Sequence, residues 1–317
     1  MARGTVYLVG AGPGDPGLLT IRGRQVLQLA DVVIYDGLVS RGVLRLIPRR
    51  ARKLRVAKGP RYRMGFPQSQ INQLLVTEAK AGRQVVRLKG GDALFFSRGG
   101  EEAEMLRDHR IPFEVVPGIS SALAAPAYAG IPVTDRRYSS SVAMVTGHES
   151  ATKPNRSVHW GRLARSVDTL VILMGVASWE SVAKELLDGG LSPDTPVATI
   201  LWATTRHQRT LLFTLGESQR PSLRARLQSP SVLVVGRTVA LAPQLRWHRG
   251  ERCSASRRFR QVAARLRLER ANDRTDPPPP GPREGGPTKR RRRAPTRRPV
   301  SRTSRRRGGA GHAAKAD

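Results

Sequence analysis

The sequence predicts an α/β protein built as two α/β domains, and three observations predict it. Thr5–Val9 and Asp31–Asp36 are apolar, β-branched runs flanking a stretch with helical apolar spacing, a βαβ opening. Strand-like runs and helical stripes then alternate through both halves of the chain. Between the halves, Gly130-Ile131-Pro132 to about Arg137 supplies a hinge. A length of 317 residues accommodates two such domains.

In order, Thr5–Val9 reads as a buried strand, and Gly10 to Gly17 as a glycine- and proline-rich turn. Leu18–Ala30 reads as a helix (Leu18, Ile21, Val26, Leu29, Ala30), and Asp31–Asp36 as a strand ending on an acid. Val56–Gln68 is a loop by its glycines and prolines, and its cations suit acidic groups. Ser69–Ala81 is an amphipathic helix, and Val85–Lys89 a buried strand that breaks into Gly90-Gly91-Asp92. A diglycine at a strand end lets a ligand reach the backbone where any Cβ would block it.

Gly99-Gly100 opens a helix with Glu101, Glu102 and Glu104 in its first turn, where acids favour the positive helix end. Phe113–Val116 is a strand, and Ile119–Ala129 a small-residue helix with Ser120 and Ser121 placed to cap it. In the second half Val142–Thr146, Thr169–Met174, Pro196–Leu201, Leu211–Thr214 and Ser231–Val235 read as strands. Ser178–Leu187 reads as a helix stopped by Gly189-Gly190. The expected organisation is residues 1–134, residues 135–248, and a basic tail from 249 to 317.

Charge separates the tail from the body. The net charge of +32 divides into 21 Lys+Arg against 6 Asp+Glu after residue 250, and 35 against 18 before it. Arg257–Arg270 has the look of a short basic helix, and the proline and arginine runs after it suit disorder and non-specific contact with anions or nucleic acid. The moderately basic body suits an anionic substrate. One cysteine, Cys253, excludes a disulfide within the chain and points to a reducing, cytoplasmic setting. Scattered histidines and no CxxC argue against a metal. No apolar run reaches the ~20 residues of a membrane span, and no signal-like run opens the chain.

Gly12, Gly14 and Gly17 match G-x-G-x-x-G, with Asp36 where a ribose-binding acid would stand. Pro13 and Pro16 each remove an N–H that a diphosphate would need, and Asp15 adds a carboxylate beside it. A nicotinamide or flavin oxidoreductase is therefore the weaker reading, and a ligand without phosphates the better one.

The run Val9-Gly10-Ala11-Gly12-Pro13-Gly14-Asp15-Pro16-Gly17-Leu18-Leu19-Thr20 resembles the opening of the tetrapyrrole methylases. Tyr35-Asp36-Gly37-Leu38-Val39, Arg87-Leu88-Lys89-Gly90-Gly91-Asp92, Arg98-Gly99-Gly100-Glu101-Glu102 and Val116-Pro117-Gly118-Ile119-Ser120-Ser121 continue the pattern in order. So do Tyr128 to Thr134, Thr146-Gly147-His148, Leu173-Met174-Gly175, Ser192-Pro193 and Pro196-Val197-Ala198, so that the resemblance covers roughly residues 4–247. Ala57 and Gly59, flanking Lys58, depart from the family's usual Gly-Lys-Arg.

The resemblance implies two α/β domains with an active-site cleft between them, a homodimer, and S-adenosylmethionine as methyl donor. Within the family it is nearest the members that methylate uroporphyrinogen III twice, through precorrin-1 to precorrin-2, for sirohaem or cobalamin. A sibling acting on a later precorrin is the alternative. It implies acid–base roles for Asp36 and Lys58, and cofactor contacts at Pro13, Gly90, Gly91, Asp92, Phe95, Ser120, Ser121, Met174 and Ala203. Arg61, Arg136 and Arg137 are the candidate anchors for the eight carboxylates of such a substrate.

Overall fold

The computed structural model describes residues 4–57, 66–148, 158–248 and 251–272. Its first sheet is a parallel one, formed by β1 (Val6–Gly10), β2 (Val32–Asp36), β3 (Arg52–Val56), β4 (Val85–Lys89) and β5 (Phe113–Val116) in the order β3-β2-β4-β1-β5. Between them run α1 (Ile21–Leu29), α2 (Arg41–Leu44), α3 (Gln68–Lys80) and α4 (Gly99–Asp108). α1 starts three residues later than its apolar spacing predicts. The Thr20 hydroxyl accepts the Gly23 N–H at 3.0 Å and caps the helix there, after a short 3-10 turn over Pro16–Leu18.

Side chains alternate across this sheet. Val26 and Leu27 of α1 pack with Val9, Val33, Val86 and Leu88 on one face. Ile71 and Leu75 of α3 and Leu106 of α4 pack with Val6, Leu8, Ile34 and Val85 on the other. The helices that follow the neighbouring strands β1 and β4 therefore leave on opposite faces. Such a switch point opens a crevice at the carboxyl ends of the strands, where the two glycine turns lie.

After α5 (Ser121–Tyr128) the chain passes, around the expected boundary at residue 134, into a six-stranded mixed sheet. It comprises β6 (Val142–Thr146), β7 (Thr169–Leu173), β8 (Pro196–Leu201), β9 (Arg209–Thr214), β10 (Ser231–Val235) and β11 (Arg252–Ala255), ordered β11-β9-β8-β10-β7-β6. α6 (Trp160–Ser166), α7 (Trp179–Asp188) and α8 (Pro221–Arg224) accompany one core, in which Trp160, Trp179, Phe213 and Leu223 are buried. α5, α9 (Ala242–Leu245) and α10 (Arg257–Asn272) accompany the other, with Ala122, Ala242 and Phe259.

Two strands escape the sequence pattern, and both are edge strands. β3 carries Arg52, Lys53 and Arg55 on exposed positions, and charge on an edge blocks pairing with other chains while erasing the apolar alternation. β11 pairs in parallel with β9, and the Ser256 hydroxyl then accepts the Phe259 N–H at 3.0 Å to start α10. The ordered fold thus continues past the expected tail boundary at 249: Phe259, Val262, Ala263 and Leu266 are buried and anchor α10 as part of the core. The proline and arginine runs expected to be disordered fall outside the described residues. No helix among the described residues is long and apolar enough to cross a membrane.

Candidate active site

The two glycine turns are one structure. Gly12 N–H donates to Gly91 O at 3.0 Å and Gly91 N–H to Gly12 O at 2.8 Å, an antiparallel bridge between the loops after β1 and β4. Close approach explains the composition. A Cβ on Gly10 would lie 2.6 Å from the Gly118 Cα, and one on Gly118 would lie 2.4 Å from the Gly91 oxygen. Gly91 also sits at φ +73°, in the left-handed region that glycine enters without strain.

Asp92 ties this junction together. Its Oδ1 accepts the N–H groups of Leu94 (2.8 Å) and Phe95 (2.9 Å), and its Oδ2 accepts that of Gly118 (2.9 Å). Burial pushes the carboxyl upward, but the backbone donors of Gly118, Leu94 and Phe95 outweigh it and hold Asp92 below the ordinary carboxylate range. Asp92 is therefore ionised at neutral pH. Ser120 caps α5 through Ala122 N–H at 3.2 Å, and a Cβ on Gly91 would lie 3.8 Å from the Ser121 nitrogen, so both serines adjoin the diglycine.

The N-terminal loop reaches the second sheet. Asp15 N–H donates to the Thr204 hydroxyl at 3.0 Å, and a Cβ on Gly14 would lie 3.3 Å from the Ala203 oxygen. Pro13 and Ala203 therefore belong to one neighbourhood. Tyr128 O–H donates to Asp15 Oδ2 at 2.9 Å; burial and this bond push its pKa up to about 12. Met174 follows β7, two strands from β8 and roughly 10 Å along the sheet. It is 50% exposed at φ +55°, an apolar surface at a strand end and not a core residue. Phe95 is likewise partly exposed and meets Phe96 edge to face, centroids 4.5 Å apart.

Asp36 ends β2 beside this junction, since a Cβ on Gly90 would lie 3.3 Å from the Leu38 Cβ. Its Oδ1 accepts Arg87 Nη2 at 2.6 Å. Arg87 in turn meets Glu102, and so does Lys89. Glu102 is therefore not a solvent-side helix-end acid: it is fully buried beneath the sheet as counterion to two buried cations. This trio was missed by sequence reasoning. Its signal was present, because two cations spaced i, i+2 in a buried strand share one face and require an acid there.

Arg136 and Arg137 are not brought to these residues. Ser140 and Ser141 N–H groups donate to Asp168 (2.8 and 3.0 Å), which places this segment at the start of β7, roughly 17 Å of strand away from Met174. Arg137 is spent on Asp135, at 2.9 and 2.7 Å, and its guanidinium lies 5.4 Å from the Tyr138 ring centroid. Lys58 and Arg61 fall outside the described residues.

The chemistry of the junction suits a cationic ligand better than a dinucleotide. An ionised Asp92 and the Asp15 carboxylate repel a diphosphate, while they favour a ligand bearing a sulfonium and an ammonium. Met174, Phe95 and the exposed Leu38 and Trp202 offer apolar faces, and the glycine junction leaves backbone unscreened by Cβ atoms. The class is thus a two-sheet α/β protein whose two glycine turns meet at a switch point of the first sheet.

The comparisons refine it. The family described as Tetrapyrrole (Corrin/Porphyrin) Methylases matches residues 5–219. Siroheme synthase 1 of Halorhodospira halophila is 46% identical over 249 residues, 78% of this chain and 51% of that protein. The siroheme synthase of Neisseria meningitidis serogroup B is 49% identical over 244 residues, 77% of this chain and 50% of that one. The chain spans about half the length of these curated relatives. Among solved structures, the uroporphyrin-III C-methyltransferase of Thermus thermophilus superposes with TM-score 0.63 at 40% identity, covering 77% of this chain and 97% of that one. A structure of the same enzyme with S-adenosylhomocysteine gives 0.64 at 39%, covering 74% and 93%. The chain belongs to the tetrapyrrole methylase family.

Proposed function

We propose that this chain binds S-adenosylmethionine at the glycine junction and C-methylates uroporphyrinogen III twice, through precorrin-1 to precorrin-2, in sirohaem or cobalamin biosynthesis. The observation that carries the reading is the Gly12–Gly91 bridge, which places a proline-stiffened, phosphate-averse loop against Asp92 and beside Asp36. The likeness to the Thermus enzyme, 40% identical over nearly its whole length, supports that substrate over a later precorrin. A cobalt precorrin-4 methyltransferase superposes as well, at TM-score 0.65, but shares 26% identity, so the fold alone does not choose between the two.

When bound, S-adenosylmethionine supplies an electrophilic methyl on a sulfonium. The chain's contribution is placement, for which alignment of two reactants offsets about 7–11 kcal/mol of barrier. Pro13, Gly90, Gly91, Ser120, Ser121 and Ala203 shape the pocket, Asp92 faces the ligand's positive charge, and Met174 and Phe95 wall it. With the cofactor bound, transfer of its methyl to a pyrrole carbon would release the thioether and leave the positive charge on the macrocycle. Loss of one proton then restores neutrality there, and Asp36 accepts it. Lys58 is the proton donor, and Arg61, Arg136 and Arg137 are the candidate carboxylate anchors by family resemblance, Arg137 being already paired with Asp135. The working unit is a homodimer in the cytoplasm, supported by the resemblance and by the single cysteine. The segment 273–317 contacts anions non-specifically through its arginines.

Incubation of the purified chain with uroporphyrinogen III and methyl-labelled S-adenosylmethionine tests this. Two label equivalents per macrocycle are expected. Transfer confined to later precorrins would establish the sibling activity instead.

A further inference from the structure

Arg87 and Lys89 are 2% and 1% exposed, and Glu102 is 0% exposed. Removing such ions from water costs several kcal/mol apiece, and apolar residues of like volume would serve packing as well or better. What distinguishes this cluster is that it is not closed. Each Glu102 oxygen takes one cation, Oε1 the Arg87 Nε at 3.0 Å and Oε2 the Lys89 Nζ at 2.9 Å, while Gln68 Nε2 adds a second donor to Oε1 at 3.0 Å. Glu102 has no freedom left to rotate.

Arg87, gripped at Nε, turns the other end of its planar fork outward, and Nη2 meets Asp36 Oδ1 at 2.6 Å. Asp36 is the member that faces out, its side chain 31% exposed at the carboxyl end of β2. Its Oδ2 carries no hydrogen bond among the described residues. The cluster runs from a fully buried anchor to one carboxylate with one oxygen fixed and one open. Strand register supports the arrangement, since Ile34 is the partner of Arg87, so that Asp36, Arg87 and Lys89 share the face covered by α3 and α4.

We infer that Arg87 and Glu102 are positioning residues, which hold the Asp36 carboxylate so that its open oxygen accepts the proton released on methylation. The inference rests on the function proposed above. Lys89 is the balancing charge: burial and the adjacent Arg87 depress its pKa, while Glu102 opposes them. A single ammonium at position 87 cannot reach both carboxylates as a guanidinium does.

The test uses the full chain with Arg87→Lys, Glu102→Gln and Asp36→Asn. Glu102→Gln keeps shape and an acceptor for Arg87 but removes the counterion of two buried cations, so thermal melts establish which variants fold before kcat is compared. Arg87→Lys and Glu102→Gln are each expected to lower kcat about 100-fold, the scale of a misplacement near 1 Å. KM for uroporphyrinogen III and the affinity for S-adenosylhomocysteine should stay within about twofold. In the Asp36→Asn background the same changes should alter kcat by less than about twofold, because the group they position is gone. Equal losses in both backgrounds, or a change in KM alone, would overturn the inference. Crystal structures of the variants decide it without substrate: an Asp36 carboxylate turned away supports positioning, and one left in its wild-type rotamer refutes it. Wild-type enzyme that fails to methylate uroporphyrinogen III would sink the functional reading, and the variant structures would still decide the positioning.

Discussion

The Asp92 carboxylate spans the ends of two strands to accept the Gly118 N–H at 2.9 Å, joining the loop after β4 to the loop after β5. Its depressed pKa fixes a sign. The stabilisation is fully present above the unfolded pKa near 3.9 and is lost as pH falls through the lower folded value. Asp92→Asn should therefore cost about 1–3 kcal/mol at pH 7, the scale of charged hydrogen bonds, and progressively less in acid below pH 4. Urea unfolding of both proteins at a series of pH values measures this, and a pH-independent difference would contradict it.

Glycine substitutions at the junction should differ by mechanism. At Gly91 a Cβ meets nothing closer than 3.8 Å, so Gly91→Ala suffers mainly the left-handed backbone, about 1–2 kcal/mol. At Gly118 the new Cβ would press to 2.4 Å on the Gly91 oxygen, and the backbone must move. Gly118→Ala should melt lower than Gly91→Ala and bind S-adenosylhomocysteine more weakly, as thermal melts and calorimetry would show.

Tyr128 couples the N-terminal loop to α5. Its pKa of about 12 lies above the ordinary 10, so the folded state holds the proton longer than the unfolded chain. Stability from this bond is complete below pH 10 and falls away between pH 10 and 12. Tyr128→Phe should remove that part of the slope and cost about 1 kcal/mol at neutral pH. Ultraviolet titration of tyrosinate in the two proteins checks the first claim, and denaturation the second.

The C-terminal boundary also has a measurable consequence. On sequence grounds a cut after residue 250 looks harmless, but it would remove β11 and α10 with Phe259 at 0% exposure. That truncation should abolish soluble folded protein, whereas ending the chain at Asn272 should leave turnover unchanged. Phe259→Ala alone should cost about 3–5 kcal/mol. Active enzyme from the shorter truncation would show α10 to be dispensable.

Legibility followed burial. β1, β2 and β4 announce themselves as apolar runs because the central strands of a parallel sheet covered on both faces demand them. The glycine turns, Ser120 and Met174 were legible through motif order, and the structure gathers most of them around one bridge. β3 and β11 were hidden because these two edge strands carry charged and polar residues, which an edge tolerates and which erase the apolar run. Arg137 shows a different limit: its place in the sequence does not reveal that Asp135, two positions away, pairs with it.

By itself, the chain's order of residues determined the alternating α/β architecture, the two glycine turns and a family of methylases. These depend on local conformation and on periodic burial, which are written along the chain. Only the tertiary structure decided that Gly12 pairs with Gly91, that Glu102 is buried against Arg87 and Lys89, and that α10 closes the second core. Those are contacts between distant segments, and their free energies come from geometry and desolvation that no stretch of sequence carries alone.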